Sequence, residues 1–254
     1  MPANPRRSNQ SQPVNASAKP QAGGSLHFEV WQPANGSFGY RRLQRDIPAM
    51  AATIIQHPLA AHVLTHLRDR TTKPALFRTL CHQITLLLAL EATRDLATEE
   101  KPVDTPLEPM KGRVLARPLV IVPILRAGLG MVEPFLELFP DVSVGYVGLE
   151  RNHATAIAHS YYCKLPPLHR TRVLVVDPML ATGGSAVQAL EVVKAAGGRD
   201  LALVCIVAAP EGVALVEQRH PDVPVFLASL DRELNSRKYI LPGLGDFGDR
   251  LYGT

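Results

Sequence analysis

The sequence predicts an α/β fold, with a mostly parallel sheet flanked by helices. From residue 119 onward, short continuous apolar runs alternate with helical patterns, and glycine turns separate several of them. Of the 254 residues, 46% are hydrophobic and 20% are charged, a balance typical of chains that bury a sizeable core. Strands that alternate with helices imply right-handed crossovers and a parallel sheet covered on both faces.

Two helices are predicted before the alternating region. They run from Pro58 to about Asp69 and from Pro74 to about Leu96, and each begins with a proline, whose missing N–H costs nothing in the first turn. Apolar side chains recur at helical spacing in the second helix, so we expect that face to lie in the core. Residues 99–112 contain three prolines, which predicts an irregular connection or short edge strands.

The alternating region predicts five buried strands with helices between them. The predicted strands are Leu119–Leu125, Val142–Leu149, Arg172–Val176, Leu201–Ala208 and Val225–Leu230. The predicted helices run from about Gly128 to Phe139, from Ser185 to about Ala196 and from Glu211 to His220. Because ligands bind beyond the carboxyl ends of strands in such folds, we expect the functional site in the turns after Leu125 and Val176.

The domain prediction is a poorly ordered tail over residues 1–40 and a single domain over residues 41–254. The first 28 residues contain two arginines and one lysine but no acidic residue, and they lack the apolar residues that build a core. An organelle transit peptide is also acid-poor and rich in serine and arginine. That alternative stays open for residues 1–28.

Composition argues against several classes of partner. The net charge of +4 is the excess of 27 scattered basic residues over 23 acidic ones. This balance does not favour nucleic acid but suits small anionic ligands. The longest apolar run, Ile84 to Leu90, is shorter than a membrane span, so no membrane partner is expected. Three cysteines lack metal-ligand spacing and are too few for a disulfide framework. We therefore expect a reducing, cytoplasmic location.

The strongest local motif is VLVVDPMLATGGS, from Val173 to Ser185. Here a buried strand runs into Asp177 and then into a small-residue loop that opens a helix. The backbone N–H groups from Ala181 to Ser185 can point at one phosphate, the helix N-terminus favours negative charge, and the Thr182 and Ser185 hydroxyls can donate. We expect a side chain at Gly183 to intrude on that phosphate. No lysine follows the glycines, so the loop is not a Walker A motif.

Asp177 could accept hydrogen bonds from the vicinal hydroxyls of a sugar attached to the phosphate. The alternative is an ordinary strand-to-helix turn with an exposed aspartate. Arg126 follows the first predicted strand, where a guanidinium can bind a pyrophosphate through two parallel hydrogen bonds. A helix-capping or surface arginine is the alternative there.

These motifs resemble a known family. An apolar strand, an acid and A-T-G-G at a helix start resemble the phosphoribosyl-pyrophosphate loop of type I phosphoribosyltransferases, and DPMLATGGS is similar to the uracil phosphoribosyltransferases among them. PILRAGLGM at Pro123–Met131 and YILPGLGDFGDRLYGT at Tyr239–Thr254 support that match. The resemblance covers about residues 56–254. It implies a type I phosphoribosyltransferase-like fold with N-terminal helices and a C-terminal base-binding loop.

The resemblance also implies which residues bind 5-phospho-α-D-ribose 1-diphosphate (PRPP). These are Arg126, Arg151, Asp177, Pro178, Met179, Leu180, Ala181, Thr182, Gly183, Gly184, Ser185 and Asp246. Arg126 and Arg151 correspond to diphosphate-binding arginines, and Arg126 and Asp246 to the residues closest to the chemistry. Asp246 lies beside the diphosphate and its Mg²⁺, the one cofactor implied.

The glycine-rich terminal segment is the implied uracil site, through Ile240, Gly245, Asp246 and Phe247. Uracil is planar and uncharged, and backbone C=O and N–H groups can match its edges without side chains. Phe247 stands where the family often has alanine. Its ring could stack near the base, or it could merely pack the loop.

The function implied by the resemblance is transfer of uracil to PRPP, giving UMP and diphosphate in pyrimidine salvage. The open alternatives are a phosphoribosyltransferase for another base and a nucleotide-sensing, RNA-binding regulator. A homodimer or higher homo-oligomer is expected, and GTP, which activates some relatives, is an open effector. Residues 152–167 are expected to form an extended arm, with His153 and His159 solvated instead of binding metal.

Overall fold

The computed structural model describes residues 30–31, 39–40, 52–151 and 158–254. The chain divides into two units, residues 1–48 and residues 49–254. In the first unit, β1 (Val30–Trp31) pairs antiparallel with β2 (Gly39–Tyr40). The rest of the predicted tail and residues 152–157, including His153, lie outside the described residues. The tail boundary at residue 40 stays a prediction.

The second unit is built from strands and helices that largely follow the predicted alternation. Its strands are β3 (Ala52–Ile54), β4 (Thr98–Asp104), β5 (Pro109–Leu115), β6 (Leu119–Leu125), β7 (Ser143–Val144), β8 (Tyr146–Arg151), β9 (Ala158–Lys164), β10 (Arg172–Val176), β11 (Met179–Leu180), β12 (Asp200–Ala208), β13 (Val225–Leu230), β14 (Glu233–Leu234) and β15 (Ile240–Leu241). Its α-helices are α1 (Pro58–Arg68), α2 (Pro74–Ala92), α3 (Val132–Leu138), α4 (Gly184–Ala195), α5 (Pro210–Arg219) and α6 (Phe247–Tyr252), and a 3-10 helix spans Ala127–Met131.

The main sheet has the order β3-β13-β12-β10-β6-β8-β9. Every pair along it is parallel except β8 with β9, which is antiparallel. The short strands β7 and β11 pair in parallel with β6 and β12. This arrangement confirms the predicted α/β class with a mostly parallel sheet.

The direction of the chain across the sheet reverses between β6 and β10. From β6 it continues to β8 on one side, and from β10 it continues through α4 to β12 and through α5 to β13 on the other. The loops that leave the carboxyl ends of two neighbouring strands therefore diverge and open a crevice, the place where α/β sheets bind ligands. Arg126 and Asp177 follow these two strands.

Side chains alternate along each buried strand, so both faces of the sheet are apolar. Helices cover both of these faces. In β10, Leu174 and Val176 pack into the core that holds residues of α1, α2, α3 and α6. Val173 and Val175 point the other way, into the core shared with α4 and α5.

Helix α2 is long and apolar enough to cross a membrane by length and composition alone. One face of it, however, is buried in the core of the second unit, from Phe77 to Ala92. A core helix gives this same signal, so the finding is weak evidence for a membrane span.

The sequence prediction was wrong or incomplete at several places. The predicted strand Val142–Leu149 is divided into β7 and β8, and the predicted helix from Gly128 to Phe139 is a 3-10 helix followed by α3. Residues 98–115 form a regular antiparallel hairpin, β4 with β5, whose mostly exposed side chains gave no burial pattern to recognise. Strand β3 was missed because only three residues pair with β13. Residues 158–164 of the predicted arm form β9, which extends the sheet beside β8. Helix α2 ends at Ala92 and not near Leu96.

Candidate active site

Asp177 stands at the carboxyl end of β10. Its backbone N–H donates to the Val204 carbonyl (3.1 Å), and its Oδ1 accepts from the Met179 N–H (3.4 Å). The side chain is partly exposed, directly after a strand that is fully buried. Asp177 thus presents a carboxylate at the crevice from a rigid strand end.

The next three residues fold against the sheet. Strand β11 pairs with β12, the Pro178 carbonyl accepts from Ile206 and Val207 N–H (3.1 Å each), and the Leu180 carbonyl accepts from Ala209 N–H (2.9 Å). Pro178 and Leu180 are buried, and Met179 is half-buried. The structure therefore places the side chains of Pro178 and Leu180, two of the implied PRPP contacts, inside the protein, where they shape the loop.

The ATGGS segment forms the N-terminus of α4. Gly183 is its N-cap residue with φ +83°, and as a glycine it supplies no side-chain cap. The first N–H groups of a helix have no intrahelical acceptor. Because Gly184 is exposed and Ala181, Thr182 and Ser185 are partly exposed, these donors lie where an anion can reach them.

Two glycines allow helix α5 to pack directly behind this loop. A Cβ added at Gly183 would lie 2.9 Å from the Gly212 carbonyl oxygen, and one added at Gly212 would lie 2.5 Å from the Ala181 carbonyl oxygen. The expectation that a side chain at Gly183 would enter the phosphate space is therefore wrong, because it would meet α5. A Cβ at Gly184 instead meets open space, with only the Thr182 hydroxyl at 3.9 Å.

Arg126 is exposed and follows β6, the parallel neighbour of β10. The Leu125–Arg126 peptide bond is cis. A Cβ at Gly128 would lie 2.6 Å from the Val176 carbonyl oxygen, and one at Gly130 would lie 2.8 Å from Leu251 Cδ2 in α6. The loop after Arg126 is thus packed between the end of β10 and the terminal helix, which brings the three predicted motifs together.

Asp246 caps α6, and its Oδ1 accepts a hydrogen bond from the Asp249 N–H (3.0 Å). Asp246 and Gly245 are exposed, and Gly245 has φ +83°, a conformation that favours glycine. The Phe247 ring is buried and contacts Phe77 edge to face, with ring centroids 5.3 Å apart. The ring therefore packs the loop and does not stack on a base, and only the backbone of Phe247 remains for the implied uracil contact.

Ile240 lies in β15, which pairs with β14 and buries its side chain. This glycine-rich terminal segment contains two elements that the sequence did not predict, β15 and α6. Both are very short, so their periodicity could not be recognised. The glycine turn of this segment therefore lies between two ordered elements, β15 before it and α6 after it.

Arg151 ends β8, and its backbone pairs with Ala158 of β9. Its side chain lies outside the described part of the structure, as does that of His159. The implied diphosphate contact of Arg151 therefore stays a prediction.

Arginines that the sequence analysis did not single out hold the terminal segment. Arg250 donates to the carbonyls of Leu67, Leu244 (2.7 Å) and Asp69 (2.6 Å), and its guanidinium lies 4.5 Å from the centroid of the Phe77 ring. Arg78 of α2 donates to the Leu251 carbonyl (2.9 Å).

Arg68 pairs with Asp231 and also contacts the terminal loop. No short-range motif marks these residues, since most of their partners lie more than 160 positions away. The one sequence signal for these arginines was indirect: a glycine-rich chain end that forms part of a site must be held in place by other residues.

The implied magnesium can be tested against the side chains that are present. Among the described residues, no group of three or more His, Cys, Asp or Glu could hold a metal by itself. Asp246 offers an exposed carboxylate of which one oxygen serves the helix cap. Mg²⁺ binds through substrate phosphates plus one or two carboxylates and keeps several waters. This donor set fits a magnesium ion that arrives with a diphosphate.

Comparison with known proteins agrees with this arrangement. A family model described as uracil phosphoribosyltransferase matches residues 54–254. Uracil phosphoribosyltransferases of Symbiobacterium thermophilum and Thermosipho africanus are 53% and 51% identical, over 79% and 81% of this chain and 97% and 100% of theirs. A solved protein of Aquifex aeolicus is 37% identical, with a TM-score of 0.77 over 80% of this chain and 98% of its own. With the phosphate loop, the Arg126 loop and the terminal segment all inside the matched region, the chain belongs to the uracil phosphoribosyltransferase family.

Proposed function

We propose that this chain joins uracil to PRPP, producing UMP and diphosphate. The observation that carries the proposal is the meeting of three loops at the crevice between β6 and β10. One presents a helix N-terminus with glycine at the N-cap, one presents Arg126, and one ends in the Gly245–Phe247 turn. We assign the 5-phosphate, the diphosphate and the base to these three loops in turn.

The chemistry is displacement at the anomeric carbon of the ribose. The bond to diphosphate breaks and the bond to a uracil nitrogen forms, while the proton on that nitrogen is released to solvent. Positive charge develops on the ring and negative charge grows on the leaving group. In this proposal the α4 N-terminus holds the 5-phosphate, Asp177 accepts from the ribose hydroxyls, and Arg126 with Arg151 neutralises the diphosphate. Catalysis then comes from positioning and charge stabilisation.

Mg²⁺ would be held by the diphosphate and Asp246, and when bound it would add positive charge at the leaving group. Asp246 has a second role that is independent of any metal, because it caps α6. The negative charge at a helix N-terminus also favours the helix.

Base recognition is assigned to the backbone of Ile240 and of the Gly245–Phe247 turn. Buried backbone groups that pair with uracil would be left without partners by a base of different pattern, which penalises the wrong base strongly. A phosphoribosyltransferase for another base is the second candidate, because all other parts of the site bind PRPP only.

The decisive assay measures turnover of uracil, cytosine, adenine, guanine, hypoxanthine and orotate with PRPP, using purified full-length protein. We expect UMP to be the product formed with the highest kcat/KM. Turnover of another base in preference would support the second candidate, and PRPP or nucleotide binding without turnover of any base would support the regulator. GTP added to the same assay tests activation.

Asp246→Asn separates the metal role from the capping role. Asparagine caps helices as well as aspartate does, so we expect only a slight fall in melting temperature, from loss of the charge at the helix N-terminus. Loss of the charge should lower the rate on the order of 100-fold at limiting Mg²⁺, with partial recovery as Mg²⁺ is raised. Asp246→Ala controls for the cap and should in addition lose about 1 kcal/mol of stability. A wild-type rate for Asp246→Asn at limiting Mg²⁺ would remove the metal role.

We further propose a cytoplasmic homo-oligomer. Hairpin β4–β5 exposes several apolar side chains, among them Leu107, which is 96% exposed. Two-stranded sheets are at best marginally stable in water by themselves, so contact with another subunit would stabilise this one. Light scattering on purified protein measures the assembly, and a monomer would contradict the proposal.

A further inference from the structure

A network of polar groups around the buried Asp231 lies behind the terminal loop. Arg68, the last residue of α1, donates to both carboxylate oxygens of Asp231, from Nη1 to Oδ2 (2.7 Å) and from Nη2 to Oδ1 (2.6 Å). Ser229 joins them, accepting from Arg68 Nη2 (3.0 Å) and donating to Asp231 Oδ1 (2.8 Å). The Asp231 side chain is 2% exposed and that of Arg68 is 24% exposed.

This network holds one residue of the terminal loop by both of its backbone groups. The Gly243 N–H donates to Asp231 Oδ2 (2.8 Å), and the Gly243 carbonyl accepts from Arg68 Nη1 (2.7 Å). Gly243 has φ +59°, and a Cβ there would collide with the Ile240 carbonyl oxygen. The loop can therefore take this path only with glycine at position 243, and both ionic partners bind that glycine.

The residues on either side of Gly243 are those assigned to uracil. Ile240 precedes it by three positions, and the Gly245–Phe247 turn follows it by two. Leu244 is held separately, by Arg250. A shift of Gly243 would therefore move the backbone groups assigned to uracil, whereas the phosphate loop lies between β10 and α4 and is held by β12.

We propose that Arg68 and Asp231 are positioning residues for base binding, which fix the Ile240–Phe247 backbone through Gly243 and so set the affinity for uracil. The inference rests on the proposed function. Neither side chain touches substrate in this assignment.

The chemistry of the pair explains why substitutes should fail. Asp231 accepts from Arg68, Ser229 and Gly243 at once, which needs a carboxylate without donor hydrogens. Arg68 uses two nitrogens in a planar fork for the carboxylate and still reaches the Gly243 carbonyl, whereas lysine is a single point donor. Removal of either partner leaves a largely buried charge uncompensated, and the loop must then rearrange to solvate it.

The test compares Arg68→Gln and Asp231→Asn with wild type in steady-state kinetics of both substrates. We expect the KM for uracil to rise on the order of ten- to hundredfold, because small misplacements of binding groups are costly. The KM for PRPP should rise by a much smaller factor, since Asp246 is the one implied PRPP contact on this loop. Arg68→Lys keeps the charge and part of the bonding, so it should recover part of the uracil affinity.

Arg172→Gln is the matched control. Arg172 is also a buried arginine, paired with Asp200 and Asp95, but it begins β10 at the opposite end of that strand from Asp177. It should lower the melting temperature without changing the KM for uracil. Equal rises in both KM values in the Arg68 and Asp231 variants, or a uracil effect in Arg172→Gln as well, would overturn the proposal in favour of general destabilisation.

Two further measurements keep the proposal testable if those variants fold poorly or the enzyme uses another base. Ser229→Ala removes one bond to each partner while leaving the pair, so it should shift the KM for uracil in the same direction by a smaller factor. Hydrogen exchange of residues 240–247 needs no substrate, and it should accelerate in Arg68→Lys and Ser229→Ala but not in Arg172→Gln. Unchanged exchange of residues 240–247 in Arg68→Lys and Ser229→Ala would refute the positioning role. Faster exchange in these variants, with no uracil turnover by the wild-type protein, would refute only the proposed function.

Discussion

At the scale of single residues, Gly183 and Gly184 lie side by side but meet different surroundings. A side chain at Gly184 enters open space at the exposed start of α4, whereas one at Gly183 meets the backbone of α5. Gly184→Leu should therefore fold normally and weaken PRPP binding on the order of 100-fold, by covering the N–H groups that face the phosphate. Calorimetric titration with PRPP measures this, and wild-type affinity in a folded Gly184→Leu protein would contradict the loop assignment.

Gly183→Ala should instead lower stability. The alanine must adopt φ +83° and also approach the Gly212 carbonyl oxygen to 2.9 Å. Gly197→Ala is the control, since Gly197 has φ +99° with nothing within 4 Å of an added Cβ. We expect both to lose about 1 to 2 kcal/mol for the left-handed backbone, with a clear further loss only in Gly183→Ala. Equal melting temperatures for the two variants would show that α5 yields to the added methyl group.

At the scale of elements, His220 couples the end of α5 to α4. Its Nε2 lies 3.2 Å from the Val187 carbonyl oxygen, and its Nδ1 lies 3.1 Å from Lys194 Nζ, which also binds Asp222. A neutral ring that donates from Nε2 and accepts at Nδ1 satisfies both contacts. Burial, and then the charge of Lys194, hold the pKa of His220 below its usual value, although the charges of Glu191 and Asp222 oppose this.

This lowered pKa gives a signed pH dependence. The unfolded chain takes up a proton on His220 near pH 6.5, while the folded chain resists it, so unfolding is favoured as the pH falls below that value. The melting temperature should therefore fall between pH 7 and 5, and it should fall less steeply in His220→Gln. The exposed His169→Gln is the control and should keep the wild-type slope. Equal slopes in wild type and His220→Gln would mean that His220 does not contribute.

At the scale of the whole molecule, both hydrophobic cores are built from the second unit, beginning at Ala52. The family match begins at residue 54. Deletion of residues 1–40 removes the β1–β2 pair and keeps every core side chain of the described residues. We expect turnover to be unchanged and the melting temperature to stay within about 2 °C, since both of these cores are kept. A large loss of either would move the domain boundary upstream of residue 40.

The α/β class, the central strands and the three loop motifs could all be predicted from the amino-acid sequence. The bounds of Leu119–Leu125, Arg172–Val176 and Val225–Leu230 were predicted correctly, because a buried strand is a continuous apolar run between turn residues. The ATGGS turn was predicted as a helix start for a similar reason, since its glycines act locally.

Tertiary contacts were needed to tell which side chains lie at the site and which pack behind it. It placed Pro178, Leu180 and the Phe247 ring in the interior, directed Gly183 toward α5, and joined Arg68 to Asp231 across 163 positions of sequence. Contacts between segments so far apart form only when the sheet aligns them, and no local spacing encodes that alignment. The motifs therefore identify the loops that form the site, while the packing behind these loops sets the positions of their backbones and side chains.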